Sequence, residues 1–257
     1  MRPNVTHNSP LSQPSPVSGF ALYGFCLAVL ASFAVMLAGL GSRWDWWNFR
    51  TGFLILKWGA YGGVTAAGIS LVGCLMARPG SPRRGFTLAA LGLLIGLIVV
   101  GVPLQWMWTA QRVPPIHDIT TDTENPPRFV AILPLRANAP NPAEYGGPEV
   151  AAQQHAGYPD LIPATLKVPP GQAFERALLA ARDMGWQIVE ANAAEGRIEA
   201  TDTTFWFGFK DDIVVRVMAA DGGSRIDARS VSRVGRSDVG TNAKRIRNYL
   251  KKVTRND

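Results

Sequence analysis

Residues 20–40 read FALYGFCLAVLASFAVMLAGL and contain no charged side chain. An α-helix rises about 1.5 Å per residue, so a helix of this length crosses the roughly 30 Å hydrocarbon core of a bilayer. The run is longer than the apolar core of a signal peptide, and no small-x-small cleavage site precedes a polar start. We therefore interpret it as an uncleaved first span, preceded by a disordered tail over residues 1–19.

Two further apolar stretches follow, at residues 53–76 and 86–108. Lys57 lies near one end of the second and can extend to the interface, and Pro103 lies in the last part of the third. The alternative, a buried helical hairpin of a soluble protein, does not account for three stretches of this length. The sequence predicts a bundle of three transmembrane helices over residues 20–108 and a bilayer as its first partner.

The flanks of these stretches differ in composition. Tryptophans crowd the first loop and the end of the third span, as expected of an aromatic belt at headgroup level: Trp44, Trp46, Trp47, Trp106 and Trp108. The loop over residues 77–85 carries three arginines and no acid. The positive-inside rule predicts that this loop and the N-terminus are cytoplasmic and that the chain after Trp108 lies outside.

Small residues recur four apart in each span, a spacing that lets helix backbones approach closely in lipid: Gly24, Ala28, Ser32, Gly59, Gly63, Ala67, Gly92 and Gly96. The spans contain no acid and no histidine to line a transport path, so we interpret the bundle as an anchor.

The net charge of +7 invites a nucleic-acid hypothesis. An anchor would hold the domain away from nucleic acid, so no such partner is predicted. Both cysteines lie in the spans, which gives the polar domain neither disulfides nor a zinc cluster.

Residues 114–257 read as one α+β domain. We expect a short strand at 129–133, a long loop at 138–170 and a helix between Pro170 and Gly185 with its apolar face inward. Four strands follow, at 186–190, 197–207, 212–219 and 225–233. A final helix capped by Ser237 or Asp238 runs to about Val253, with Arg245 among its solvated residues. The predicted fold is a two-layer sandwich of an antiparallel meander and two helices.

The last hairpin predicts a polar centre. If Gly222-Gly223 forms its two-residue turn, Asp212 faces Arg233 and Arg216 faces Arg229. Two arginines opposite each other repel unless an anion lies between them. That anion is either an internal carboxylate (Glu199, Asp202 or an acid from residues 118–124) or a bound anionic ligand. The candidate ligand-binding residues are Asp122, Asp212, Arg216, Arg229, Arg233 and Asn242.

Two runs are distinctive: residues 204–212, TFWFGFKDD, and residues 226–246, IDARSVSRVGRSDVGTNAKRI. Together with residues 199–201 and 216–217 they resemble the domain-of-unknown-function family numbered 1499, over residues 114–253. The arrangement also resembles the membrane-anchored proteobacterial form, which implies an inner-membrane setting and a periplasmic domain. Many relatives open with a cysteine-containing segment where this chain has TTDTENPP at 120–127. The resemblance implies no reaction.

Two classes of function remain open. The first is an extracytoplasmic binding or scaffold module for an anionic small molecule, a lipid headgroup or a membrane protein partner. The second is a hydrolase-like enzyme using the same polar cluster. Its candidate groups are His117 beside Asp118, Asp122, and a polar set near the last helix: Ser230, Ser232, Arg233, Ser237, Asp238 and Asn242. The histidines of the domain, His117 and His155, lie in no recognised nucleophile or metal motif. Neither a cofactor nor a metal is predicted.

Overall fold

The computed structural model describes residues 16–255. Three long helices open the described chain: α1 (Gly19–Arg43), α2 (Phe49–Met76) and α3 (Phe86–Arg112). Each is long and apolar enough to cross a membrane. The three predicted helices are therefore confirmed. Residues 1–15 of the predicted disordered tail lie outside the described residues.

The chain divides into two compact units, and the first comprises residues up to Ala38 together with Arg50–Pro103. The small residues at four-residue spacing are buried inside this bundle, among them Gly63 and Gly96, except that Ser32 is half-buried. A side chain at Gly96 would place its Cβ 2.9 Å from the Gly63 carbonyl oxygen. The stripes thus allow backbone-to-backbone approach, as expected for helices that associate without a hydrophobic driving force.

The second unit comprises Gly39–Phe49 and the chain from Leu104 onward. Its six strands are β1 (Asp118–Thr120), β2 (Ala164–Leu166), β3 (Gln187–Asn192), β4 (Arg197–Thr203), β5 (Lys210–Ala220) and β6 (Gly223–Ser232). Its helices are α4 (Gly147–Gly157), α5 (Pro170–Asp183) and α6 (Thr241–Val253). The sheet is antiparallel in the order β1-β6-β5-β4-β3, and β2 also pairs with β6. The predicted fold class is confirmed.

One face of the sheet packs on α5 and α6. Both helices are strongly amphipathic, and α5 turns Phe174, Ala177 and Leu178 inward as its spacing predicts. The alternate residues Ile213, Val215 and Val217 of β5 meet them. The rings of Trp186 and Tyr249 stack in this core with centroids 4.9 Å apart.

The segment before α5 departs from expectation. Residues 129–133 form no strand; they lead into a 3-10 turn, Leu133–Arg136. The predicted loop at 138–170 contains α4 and β2. The Gln154 side chain of α4 donates to the Thr120 carbonyl oxygen (2.6 Å) and accepts from the Thr120 amide (2.9 Å). These two long-range hydrogen bonds hold α4 in place, a helix that the local hydrophobic period does not predict.

The register of the last hairpin was predicted wrongly. Asp221 and Gly222 form the turn, with Gly222 at φ +76°, so Ala220 pairs with Gly223. Arg216 therefore faces Asp227, and Arg229 faces Val214. The shift of two residues leaves every side chain on its predicted face. Gly223 is the first residue of β6, and glycine is needed there because a Cβ would lie 2.0 Å from the Leu166 carbonyl oxygen of β2.

Candidate functional site

The second face of the sheet is covered by residues 121–146, which we call the cover segment. Phe129 and Ile132 from this segment pack on Val214 and Val231 of the sheet. Around this small apolar contact the sheet face is charged. The cover segment is irregular, so buried ionic contacts, rather than regular secondary structure, position it.

Asp212 is the centre of the first ionic group. Its fully buried carboxylate accepts from Arg136 Nη1 (2.6 Å), Thr201 Oγ1 (2.7 Å) and both Nε and Nη2 of Arg233 (each 2.8 Å). Burial alone would raise the pKa of Asp212. The hydrogen bonds from Arg233, Thr201 and Arg136 outweigh burial and hold that pKa below its ordinary value. Arg136 thereby ties the cover segment to the sheet.

Arg229 is the centre of the second group. Its Nε and Nη2 form a bidentate pair with Asp118 (2.9 and 2.7 Å), and its Nη atoms also donate to the carbonyl oxygens of Pro127 and Ala143. Its guanidinium lies 5.2 Å from the centroid of the Phe129 ring. Arg229 is buried and internally neutralised, and it also fixes both ends of the cover segment.

A third group alternates two arginines with two aspartates. Arg216 donates to Asp227 (2.9 Å) and Asp122 (3.1 Å), and Arg225 reaches the same two carboxylates at 2.9 and 2.8 Å. The paired-arginine argument thus fails in its premise, because Asp227 stands opposite Arg216. Asp122 supplies the second countercharge from the cover segment.

Glu199 forms an ion pair with Arg197. Its carboxylate also accepts hydrogen bonds from backbone amides of the cover segment. One carboxylate oxygen accepts from the amides of Val130 (2.9 Å) and Ala131 (3.1 Å), and the other from that of Ile132 (2.9 Å). A buried carboxylate therefore satisfies three successive amides that precede the 3-10 turn. The sequence did suggest Glu199 as an internal countercharge, but for Arg216 and Arg229 rather than for this role.

Asn242 lies apart from the other predicted site residues, on the helix side of the sheet. Its amide bridges Ser230, Ser232 and the His117 carbonyl oxygen. Arg245 beside it was predicted to be solvated, but it is buried and donates to Asp202 (2.8 Å) and Asp211 (2.6 Å). The helix period alone could not show that a charged position faces two acids of the sheet.

The N-cap residue of α6 is Gly240, at φ +80°, and not Ser237 or Asp238 as predicted. Asp238 lies two residues before this N-cap. Its carboxylate accepts from the amides of Gly240 (2.9 Å) and Asn242 (2.7 Å). Burial raises the pKa of Asp238, and the nearby Asp211 raises it further, against the two amides and Arg245, which lower it. The two amide bonds account for the position of Asp238 ahead of α6.

A cleft of about 420 Å³ opens at the edge of the cover segment, with Arg229 in its wall. Among its lining residues are Arg128, Phe129, Leu133, Glu144 and Tyr145. The Tyr145 hydroxyl is buried and has no hydrogen-bond partner among the described residues. Burial, with the charge of Asp118, raises the pKa of Tyr145 to about 12 against the effect of Arg229, so the hydroxyl remains a neutral donor.

Sequence reasoning missed Tyr145 and Arg128 as site residues. The signal was weak: Tyr145 makes its Pro- and Gly-rich segment too apolar for a free linker. The predicted set of six divides as follows. Arg229 lines the cleft; Asp122, Asp212, Arg216 and Arg233 lie in ion pairs on the same face; and Asn242 lies on the other face.

The residues that an enzyme would use are distributed over several places in the domain. Asp118 is held by Arg229, and Asp122 is shared between Arg216 and Arg225. His155 Nε2 lies 2.9 Å from Thr123 Oγ1, at an exposed site. His117 lines a second cleft, of about 340 Å³, with Glu149 and Arg236.

Three N-terminal helices are long and apolar enough to cross a membrane, and an α+β domain follows them. This arrangement is compatible with the class of membrane-anchored proteins. A family model described as a protein of unknown function (DUF1499) matches residues 118–253, more than half of the chain. The chain belongs to this family. A second model, described as a negative regulator of sigma F, matches residues 6–133. Neither the curated proteins nor the solved structures contain a significant match.

Proposed function

We propose that the protein is a membrane-anchored binding module whose ligand site is the cleft at the edge of the cover segment. The observation that carries the proposal is the Tyr145 hydroxyl, which is buried in the cleft wall without an internal partner. A buried polar group left unsatisfied costs free energy, and a ligand acceptor would remove that cost. Tyr158 also has an unpartnered hydroxyl, but it packs in the main apolar core.

The lining indicates the chemical class of the ligand. Tyr145 offers a neutral donor, and exposed Arg128 offers a cation. Phe129 and Leu133 provide an apolar wall, while Glu144 adds one opposing carboxylate. The volume falls within the range of small-molecule sites, about 300–1,000 Å³. This combination favours an anionic group with an attached apolar part, such as a lipid headgroup with its first carbons.

The proposed setting is the bacterial inner membrane. The arginine-rich loop at 77–85 and the N-terminus lie in the cytoplasm in this proposal, and the domain lies in the periplasm. In this proposal Arg216, Arg225, Arg229 and Arg233 have a structural role, although Arg229 also lines the cleft, because each is paired with an internal carboxylate. They hold the cover segment that forms one wall of the cleft.

Native mass spectrometry of the full chain in detergent tests the proposal, with phosphatidylglycerol and phosphatidylcholine as probes. We expect a stoichiometric adduct that favours the anionic lipid. Tyr145→Phe should weaken it about fivefold, since one neutral hydrogen bond contributes about 1 kcal/mol. Arg128→Gln should weaken it more, because its bond to the anion is charge-assisted.

Arg182→Gln is the matched control, because Arg182 is exposed near the end of α5, on the other side of the sheet. Equal adducts in all four proteins, or an adduct indifferent to lipid charge, would show that the cleft is not the site. A released product in place of an adduct would support the hydrolase-like alternative.

The match to the sigma F regulator model favours a second candidate, a membrane-bound regulator. In the proposed orientation its partner would meet residues 1–18 and 77–85, which are short and carry four arginines. Binding of a purified sigma factor to the full chain in nanodiscs tests this function. Replacing Arg78, Arg83 and Arg84 by glutamine should abolish that binding; unchanged binding would exclude this loop as its site.

A further inference from the structure

The loop between β4 and β5, residues 204–209 with the sequence TFWFGF, is a fixed structure; we call it the aromatic loop. The Thr204 amide donates to the Phe209 carbonyl oxygen (2.8 Å), and the Phe209 amide donates to Thr204 Oγ1 (2.9 Å). Gly208, at φ +69°, closes the turn with a bond to the Thr204 carbonyl oxygen. Side chains on this loop therefore have defined positions.

The inner side of the aromatic loop packs on residues of its own compact unit that end or join the apolar helices. Phe207 is buried and stacks on Phe209, which meets the ring of Phe49 at 5.9 Å. Trp206 meets Trp106 edge-on at 5.2 Å. A Cβ at Gly39 would lie 2.2 Å from the Trp206 ring, so glycine is needed for this approach.

The outer side of the aromatic loop presents Phe205, whose side chain is 82% exposed, the highest value among the exposed large hydrophobic residues described. Arg43, in the last turn of α1, donates to the carbonyl oxygens of Thr204 (2.8 Å) and Phe205 (3.0 Å). Its guanidinium also lies 5.9 Å from the centroid of the Phe205 ring. A helix-end cation thus fixes the backbone that carries the exposed ring.

The surroundings of Phe205 are aromatic and exposed as well. Trp44 and Trp46 follow α1, and Trp106 and Trp108 lie in the last turns of α3. Amphipathic rings at the ends of apolar spans lie at headgroup depth. A loop that contacts Arg43 and Trp106 directly is at the same depth, so the apolar surface of Phe205 continues the aromatic belt.

We infer that the aromatic loop is a lipid-contacting element of this domain, with Phe205 inserted at the bilayer interface beside the aromatic belt. A protein partner is the competing occupant of an exposed aromatic side chain. Lipid is favoured because the loop is contiguous with tryptophans and an arginine at the ends of membrane-compatible helices. The inference does not depend on the cleft at Tyr145.

Site-directed fluorescence of the full chain tests the inference. In a background with Cys26→Ala and Cys74→Ala, Phe205→Cys receives an environment-sensitive label, and each nanodisc holds one copy. We expect blue-shifted emission and several-fold stronger quenching by lipids spin-labelled near the headgroup than at Leu179→Cys. Leu179 is a matched control because it is an exposed leucine on α5. Trp46→Cys is the positive control.

Two results would overturn the inference. Quenching at position 205 equal to that at position 179 would place Phe205 in water. A blue shift without quenching would mean that protein covers the ring. Unfolding of each labelled variant at the temperature of the unlabelled chain checks that the fold is intact.

Discussion

The two faces of the β-sheet are both covered, but by different physical means. On one face α5 and α6 bury aliphatic and aromatic side chains such as Phe174, Ile213 and Tyr249. On the other, an irregular segment is held by buried carboxylates and arginines around a much smaller apolar contact. Burial of apolar area is non-directional, whereas ion pairs fix individual groups at defined distances. The charged face therefore specifies the path of the cover segment.

That difference bears on whether the arginines of the charged face bind an anion from solution or are neutralised within the protein. A row of arginines on an exposed sheet would attract an anion from solution. Here Asp118 and Asp122 come from other segments to neutralise it, and we therefore interpret the row as structural. Removing one partner of a buried pair leaves an uncompensated charge, and that cost exceeds the net contribution of the intact pair. The predictions below follow from this asymmetry, in order of decreasing effect.

Asp212→Asn should have the largest effect. It leaves Arg136 and Arg233 without their carboxylate, and we expect a loss of about 3–5 kcal/mol in the free energy of unfolding. Thermal and urea unfolding of the full chain in detergent measures it. Asp183→Asn, which breaks the exposed pair with Lys252, is the control and should change stability by less than about 1 kcal/mol. Equal stability of the two variants would mean that the charged face does not support the fold.

Glu199→Gln should have an intermediate and local effect. The amide cannot accept from Arg197 and three backbone amides as a carboxylate does, so we expect a loss of about 2–3 kcal/mol. Hydrogen exchange should show lost protection at the amides of Val130, Ala131 and Ile132 before any change in α5. Glu195→Gln keeps the same chemistry at a more exposed pair with Arg197 and should leave those amides protected.

The response to pH should differ in sign between Asp212 and Asp238. The folded-state pKa of Asp212 is depressed, so its stabilisation is present above the unfolded value near 3.9 and is lost as pH falls through the folded pKa. The folded-state pKa of Asp238 is raised, so the native state gains relative stability as pH falls through it toward the unfolded value. Asp212→Asn should flatten the acid limb of stability against pH.

In the unsubstituted protein, ionisation of Asp238 should lower the free energy of unfolding as pH rises above about 4. Asp238→Asn should remove this decline. Asparagine has a single acceptor oxygen, so it keeps only one of the two bonds to the amides of Gly240 and Asn242, and a stability loss at every pH accompanies the change in slope. Unfolding of the full chain from pH 3 to about pH 7 measures both slopes. Identical pH profiles in the two variants would contradict the opposite environments of these two acids.

The helices and strands that depend on local composition and hydrophobic period were predicted from the sequence. Uncharged runs long enough for a bilayer predicted α1 to α3, and the inward face of α5 followed from the spacing of Phe174, Ala177 and Leu178. Alternation predicted β3 to β6 and the faces of β5 and β6. The same alternation repeats every two residues, so it could not distinguish a turn at Asp221-Gly222 from one at Gly222-Gly223.

Features set by long-range contacts could not be predicted this way. β1 and β2 are three residues long, and each exists because β6 offers its edge. The 3-10 turn of the cover segment depends on Glu199, more than sixty residues further along the chain. The local signal at Tyr145 shows only that its segment is apolar, since an unpartnered hydroxyl is defined by what surrounds it in three dimensions.

The smallest predicted effect compares one tyrosine near each face. Tyr249, in the helix-covered core, donates to the Ala177 carbonyl oxygen at 3.0 Å, so Tyr249→Phe should lose about 1 kcal/mol of unfolding free energy. Tyr145→Phe removes a hydroxyl that bonds to nothing described, so stability should stay within about 0.5 kcal/mol or rise. Thermal unfolding in lipid-free detergent measures both. If Tyr145→Phe lost as much as Tyr249→Phe, its hydroxyl would have an internal partner, and the cleft would lose the group that points to a ligand. If stability is kept while the lipid adduct weakens, Tyr145 serves binding and not folding.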